Sequence, residues 1–378
     1  MRSLLSSRAL LRSLSQSPQL RPCRHLQSST IPHPSGGVPS FVFDIDGVLL
    51  RGKQVFPFAR KALQSLHDRH GNRKHPIVFM TNGGGFSETE RAEQLTNLLD
   101  VPVDEEQVVL SHTPMRQYVK KYNEMKGHCV MVIGKGRSKE VAKEYGYERV
   151  ISSEELGALH KELTPFVDYS KAEKELTEEV KGLAKTPVGA IFVMTDSTNW
   201  LRDIQLIADI VLSNSGRLGD DQDGKNHQND GKDNCVDIYF SNPDLTFPTE
   251  HHMPRLAGGA MRVALDLLME RVYNKRLQYY QFGKPHGSQY RLVEKILAVQ
   301  AIDLGFDLFR SNQLIFAIGD NPHSDVQGAN DCGHPWTSVL VQTGVHKGND
   351  NHHVHPAKLV FPDVWHAVSH AVENHTRR

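Results

Sequence analysis

Asp44-Ile45-Asp46-Gly47 directly follows the apolar run Phe41-Val42-Phe43, and Gly319-Asp320-Asn321-Pro322-His323-Ser324-Asp325 directly follows Phe316-Ala317-Ile318. These are the segments of the chain best suited to chemistry. Each apolar run reads as a buried strand of a parallel sheet. The acids then belong at its carboxyl end, where open α/β sheets bind their ligands. Carboxylates gathered at one spot repel one another unless a cation stands between them, and hard oxygen donors of this kind suit Mg2+. A carboxylate can also attack phosphorus and form an aspartyl phosphate, which makes Asp44 the candidate nucleophile. Asp46 is the candidate acid/base, protonating a leaving oxygen and later deprotonating water. Gly47 permits close approach of backbone to ligand.

Two further fragments fit the same chemistry. Thr81-Asn82-Gly83 follows Pro76–Met80, and a hydroxyl with successive backbone N–H groups can hold phosphate oxygens. Lys284, in Gly283-Lys284-Pro285, would set an ammonium against the transferring group and reduce repulsion between two anions. Asp320 would ligate Mg2+, with Asp325 orienting either it or Lys284. Singly, each fragment is also compatible with an ordinary turn or surface residue. Their order, each at the end of a core strand or just before a helix, points to one phosphoryl-transfer site.

The elements that must position these residues alternate between strand and helix, which implies a parallel α/β sheet. Strands are expected at Phe41–Phe43 and Pro76–Met80, with helices at Ala59–Arg69 and Glu88–Leu99. A second α/β region holds candidate strands Cys129–Ile133, Val188–Met194 and Val236–Phe240, and helices Arg116–Lys121, Lys139–Tyr145 and Leu201–Ser213. The first alternation resumes with the helix Ser288–Ala298, the strand Leu314–Ile318, the helix Val326–Asp331 and the strand Ser338–Val341. The strand Lys358–Phe361 and the helix Asp363–Glu373 end the pattern. The spacing predicts one domain, residues 39–112 and 277–378, split by an inserted α/β domain, 113–276. Within the insert, 217–234 is polar and Gly-rich and reads as a disordered loop.

At 378 residues the chain can bury two cores. A formal net charge of zero gives no nucleic-acid footprint. The four cysteines lack any C-x-x-C pairing, which argues against zinc or a disulfide framework. No stretch reaches the roughly 18–20 apolar residues of a bilayer span. Before Asp44 there is no acidic residue, while Arg2, Arg8, Arg12, Arg21 and Arg24 alternate with Ser and Leu. That is the composition of a mitochondrial transit peptide, expected over residues 1–38 and disordered. His352, His353 and His355 read as part of a solvated polar loop. Gly134-Lys135-Gly136 lacks the third glycine of a dinucleotide loop and reads as a strand-to-helix turn.

The motifs resemble those of the haloacid dehalogenase (HAD) superfamily: DxDG, a Thr after the second strand, a Lys, then GDxxxxD. The insert resembles the large α/β cap of subfamily IIA. Thr81-Asn82-Gly83-Gly84-Gly85, Gly319-Asp320-Asn321-Pro322 and Ser241-Asn242-Pro243-Asp244 look like its mitochondrial branch, the haloacid dehalogenase-like hydrolase domain-containing protein 5 (cat eye syndrome critical region protein 5) family. The resemblance implies a Rossmann-like HAD core with a C2-type cap, and a Mg2+-dependent phosphatase acting on a small phosphorylated metabolite in the mitochondrial matrix. It implies Asp44 as nucleophile and metal ligand, and Asp46 as acid/base that also lends its main-chain carbonyl to the metal. Thr81 and Lys284, with Asn82 and Gly83, would hold the phosphoryl group. Asp320 would ligate the metal with support from Asp325. Where many subfamily IIA phosphatases carry a second Asn, this chain has Gly83. Asn242 and Asp244 are candidates for reaching the substrate from the cap, and similar caps mediate homodimers. Alternatives are a phosphotransferase or phosphomutase, with a link to mitochondrial glycerophospholipid metabolism, or a binding protein that keeps the fold without turnover.

Overall fold

The alternation of apolar runs with amphipathic stretches becomes two all-parallel sheets in the computed structural model of the chain. The structure describes residues 39–213, 215–218, 236–247, 251, 253–306, 313–346, 348 and 350–375. The expected presequence, and the polar insertion apart from 217–218, lie outside these residues.

The chain divides into two compact units. One takes the residues up to Thr81, Glu88–Val109 and Lys284 onward; the other takes Asn82–Ser87 and Leu110–Gly283. Tyr280–Gln281 pairs in parallel with Asp237–Phe240 and so joins the second unit's sheet, which puts the later limit beyond the expected 277.

The first unit's sheet has six strands in the order Leu359–Phe361, Trp336–Val341, Leu314–Gly319, Pro39–Phe43, Ile77–Met80, Val108–Val109. All its pairings are parallel. Because side chains alternate along a strand, the central strands bury different residues on each face. One face carries Val42, Val78, Met80, Ile315 and Ala317, packed with Tyr290, Val293 and Leu297 of the helix Gly287–Asp303. The other carries Phe41, Phe43, Phe79 and Phe316, whose stacked ring centroids lie 5.9–6.0 Å apart. Each of these rings is buried, worth about 1.5–3 kcal/mol apiece. Helices Pro57–Ser65 and Val364–His375 pack together, and the latter also contacts four of the sheet's strands. The central strands are therefore covered on both faces, as their unbroken apolar runs require.

The second unit repeats the scheme with five parallel strands, ordered Tyr280–Gln281, Asp237–Phe240, Val188–Val193, Cys129–Ile133, Val150–Ser152. Cys129, Met131 and Ile133 enter one hydrophobic cluster, and Val130 and Val132 the opposite one. No helix among the described residues is long and apolar enough to cross a membrane.

Glu88–Leu99 and Cys129–Ile133 fall where the sequence places them. Other ends move by a few residues. The expected helix Arg116–Lys121 is instead a 3-10 turn, Thr113–Tyr118, with Pro114 in its first turn, followed by a helix at Val119–Glu124. The expected helix Val326–Asp331 is preceded by a wide turn, Pro322–Val326, and itself runs Gln327–Cys332.

Several helices of the second unit, Ser153–Leu159 and Gly258–Tyr273 among them, lie beyond what periodicity reveals. Ser153–Leu159 is short, and only the Ser152/Glu155 capping box marks its start. Gly258–Tyr273 begins with two glycines, which read as a breaker. The second is needed there, because a Cβ on Gly259 would collide with the Pro243 and Asp244 carbonyls. That helix is apolar on both sides. Met261, Leu265 and Met269 are buried, while Val263, Leu267, Leu268 and Val272 are exposed.

Candidate active site

Parallel register brings the acids of the first unit together. Phe43 pairs with Ile318, and the Asp44 N–H continues the ladder by donating to the Ile318 carbonyl at 2.9 Å. Asp44 therefore stands level with Gly319, one residue before Asp320. Phe43 also pairs with Phe79, which sets Thr81 one residue beyond Asp44 on the other side. Three strands thus deliver Asp44, Thr81 and Asp320 to one sheet edge.

Asp44, Asp320 and Asp325 each offer a carboxylate oxygen within 4.8 Å of the other two, the one such group of three among the described residues. All three are buried, as is Lys284. The Lys284 ammonium lies 2.5 Å from Asp44 Oδ1 and 2.6 Å from Asp325 Oδ1, and donates to the Met80 carbonyl at 3.1 Å. Three carboxylates against one ammonium leave an excess of two negative charges in a dry site. Burial, and the Asp325 and Asp320 charges, raise the Asp44 carboxyl well above its ordinary range against the pull of Lys284. Burial and then Asp325 push Asp320 up to about 7, although the Val345 N–H donates to it. On Lys284, burial disfavours the charge, but Asp325 and Asp44 outweigh it and the ammonium is held. A divalent cation supplies the charge this set lacks, and the donors are all hard oxygens.

The surrounding backbone fixes the acids. Asp325 Oδ2 accepts from the Asn321 N–H at 3.1 Å, and the turn is tied down by Tyr290, whose hydroxyl donates to the Ser324 and Asp325 carbonyls. Asp320 Oδ2 accepts from the Val345 N–H at 2.5 Å. Gly47 (φ +91°) and Gly344 press against the Asp320 carboxylate so closely that a Cβ on either would overlap it.

Asp46 is exposed and its carboxylate does not join the three buried ones. Thr81 is buried and its N–H donates to the Val109 carbonyl at 3.1 Å. Asn82 and Gly83 fall with the second unit. There the Asn82 side-chain amide donates to both Asp244 oxygens at 3.2 Å, and the Gly83 carbonyl accepts from the Ser111 N–H. Asn242 accepts from the Asp244 N–H at 2.9 Å, closing a local turn.

Sequence reasoning missed two supports. Arg91, on the helix Glu88–Leu99, is depressed by burial, an effect that the Asp46 and Asp44 charges oppose, and it donates to Gln94 Oε1 at 3.1 Å. A charge on an amphipathic helix gives no signal of this. The second is the loop after Trp336–Val341. Thr343 Oγ1 donates to the Gly47 carbonyl at 2.5 Å, the Thr343 carbonyl accepts from Arg51 at 2.9 Å, and Val345 holds Asp320. Gly344 in a strand-ending loop was the only visible hint.

Residues 41–148 match the family described as haloacid dehalogenase-like hydrolase, and residues 281–367 match a second, HAD-hydrolase-like family. A mitochondrial hydrolase of Saccharomyces cerevisiae is 31% identical over 353 residues, covering 89% of this chain and 96% of that protein. A cardiolipin synthase (CMP-forming)/mitochondrial hydrolase fusion protein of Schizosaccharomyces pombe is 36% identical over 338 residues. There the match covers 89% of this chain but 53% of the relative, so the chain spans about half that protein's length. Among solved structures, a p-nitrophenyl phosphatase from Archaeoglobus fulgidus superposes with a TM-score of 0.55 at 18% identity, over 89% of this chain and 100% of that one. Motifs, sheet order and relatives agree: the chain belongs to the haloacid dehalogenase-like hydrolases.

Proposed function

We propose that the protein is a Mg2+-dependent phosphatase that hydrolyses a small phosphomonoester through an aspartyl phosphate on Asp44. The observation that carries this is the buried triangle of Asp44, Asp320 and Asp325 with Lys284 bound to two of its members. Asp44 Oδ1 is occupied by Lys284, so the other oxygen is the one to attack phosphorus. As the O–P bond to the alcohol breaks, Asp46, exposed and two residues on, donates a proton to the departing oxygen. Asp46 then takes a proton from the water that attacks the aspartyl phosphate, releasing inorganic phosphate and restoring the Asp44 carboxylate. Lys284 and the Thr81 hydroxyl hold the phosphoryl oxygens, and backbone N–H groups of Asn82 and Gly83 extend that cradle. Mg2+, held by Asp44, Asp320 and the Asp46 carbonyl with Asp325 in support, would offset repulsion between the two anions that must react.

The second unit serves as the cap that determines which alcohol is accepted. The fission-yeast relative joins its hydrolase to a cardiolipin synthase in one chain. That pairing favours a phosphomonoester borne on a glycerol backbone. Residues 1–38 act as a mitochondrial presequence that delivers the chain to the matrix, in keeping with the names of both relatives. The protein pairs with a second copy through the exposed apolar side of Gly258–Tyr273.

The test is hydrolysis of p-nitrophenyl phosphate by the purified chain with and without Mg2+. Wild type should turn over only with the metal, and Asp44→Asn should be inactive yet fold with an unchanged circular dichroism spectrum. Full activity in Asp44→Asn would remove the nucleophile from the scheme.

A further inference from the structure

A second cluster of metal-binding side chains lies outside the acidic site, in the first unit. His323 sits in the turn after Asp320, and His346, His352, His353 and His355 lie between the strands Trp336–Val341 and Leu359–Phe361. Their rings crowd together. Centroids are 4.9 Å apart for His323 and His352, 5.0 Å for His323 and His355, and 6.0 Å for His352 and His355. His353 and His346 flank the set, 5.0 and 6.0 Å from His352. Only the first three form a closed triangle. A circle through those three centroids has a radius of about 3.1 Å. An ion with Zn–N bonds of about 2.0–2.1 Å sits about 3.2 Å from each imidazole centroid. Three imidazoles around one ion would therefore occupy this triangle with their backbones where they are.

The scaffold beneath the rings is braced. Asn351 Oδ1 accepts from the His352 and Ala357 N–H groups, its amide donates to the Ala357 carbonyl, and the Asn330 amide donates to Pro356. What remains is rotation of the rings. His352 and His355 lie parallel within 2°, and His323 stands at 77° and 78° to them. Among the described residues, only the three aspartates already bring their ligand atoms within 4.8 Å of one another. His352 Nδ1 also accepts from the His355 N–H at 3.1 Å, which places its proton on Nε2. An ion must displace that donor or move the proton to Nδ1.

We propose that His323, His352 and His355 form a binding site for a late first-row divalent cation such as Zn2+. Nitrogen donors select such ions, whereas the aspartate oxygens select Mg2+, so the two sites take different metals. His323 is exposed and gives the ion a route in.

The test uses the full chain in saturating Mg2+, so that the oxygen site is filled. Zn2+ is titrated against a chromophoric chelator, and the bound ion is read by X-ray absorption. One tightly held Zn2+ per chain, showing imidazole backscattering, is expected. His352→Gln/His355→Gln should weaken uptake at least about tenfold while leaving Mg2+-dependent turnover of p-nitrophenyl phosphate unchanged. Unaltered Zn2+ uptake by the double variant, or an oxygen-only spectrum in the wild type, would overturn the site.

Discussion

Lys284 and Asp325 form a buried ion pair of 2.6 Å in which the acid's other oxygen is already taken by the Asn321 N–H. Asp325 therefore has no oxygen to spare for a metal except by sharing one, and its main role is to hold the ammonium against Asp44. This ordering, in which one acid grips the lysine that grips the nucleophile, sets what each substitution should do.

Lys284→Met leaves three buried carboxylates with no cation of their own. Turnover should fall by about 10²–10³-fold. The metal-free protein should lose about 3 kcal/mol, because an unpaired buried charge is left behind. Urea melts without metal would read the loss, and a wild-type midpoint would refute the pairing's role. Lys284→Arg should not restore activity, since a planar fork does not fill the place of a compact ammonium.

Acidity and metal should act on stability in opposition. Asp320 is raised from 3.8 to about 7 by burial and Asp325, and Asp44 is raised too. Between those pH values the metal-free native state binds more protons than the unfolded chain, so stability falls as pH rises through that window. Lys284, raised above its ordinary value, stays charged throughout and adds no slope there. Metal-free protein should melt at a lower temperature at about pH 8 than at about pH 5, and Mg2+ should stabilise it more at the higher pH. Asp320→Asn should flatten the dependence; an equal slope in that variant would sink the attribution.

Gly344→Ala should weaken Mg2+ binding without unfolding the chain. Its added methyl would enter the space of the Asp320 carboxylate and turn it from its position. The Mg2+ concentration for half-maximal activity should rise about 10–100-fold. Gly182→Ala, where a Cβ meets nothing within 4 Å on the helix Glu178–Leu183, is the control. It should leave Mg2+ dependence alone and stabilise the fold by up to about 1 kcal/mol.

Leu268→Glu with Val272→Glu should convert a dimer to a monomer. Both side chains are exposed, 42% and 62%, on the helix Gly258–Tyr273, and a buried carboxylate would oppose pairing. Light scattering behind a sizing column gives the mass. A wild-type chain that elutes as a monomer at tens of micromolar would end the idea.

The sequence made the acids legible because an apolar run ending in Asp and Gly has few other uses, and parallel register then forces Asp44 and Asp320 to one edge. Lys284 was legible as a candidate, and Asp325 as the support of either it or Asp320, but which of the two Asp325 grips was not, since that is set by a turn whose Pro322–Val326 geometry no periodicity announces. Arg91 was hidden because a charged residue on an amphipathic helix looks the same whether it is solvated or half-buried. The helix Gly258–Tyr273 was hidden by its two glycines, the second of which lets a neighbouring backbone approach closely. His323 looked like a turn residue until the chain folded and set it beside His352 and His355.

Gly47 and Gly344 bear on heredity as well as on geometry. Every missense change reachable by one nucleotide from a glycine codon installs a Cβ, and at both positions that atom overlaps the Asp320 carboxylate. Neither codon has a tolerated amino-acid neighbour, so drift can pass through them only by silent changes. Natural populations should therefore carry synonymous polymorphism at these two sites and a deficit of any other kind.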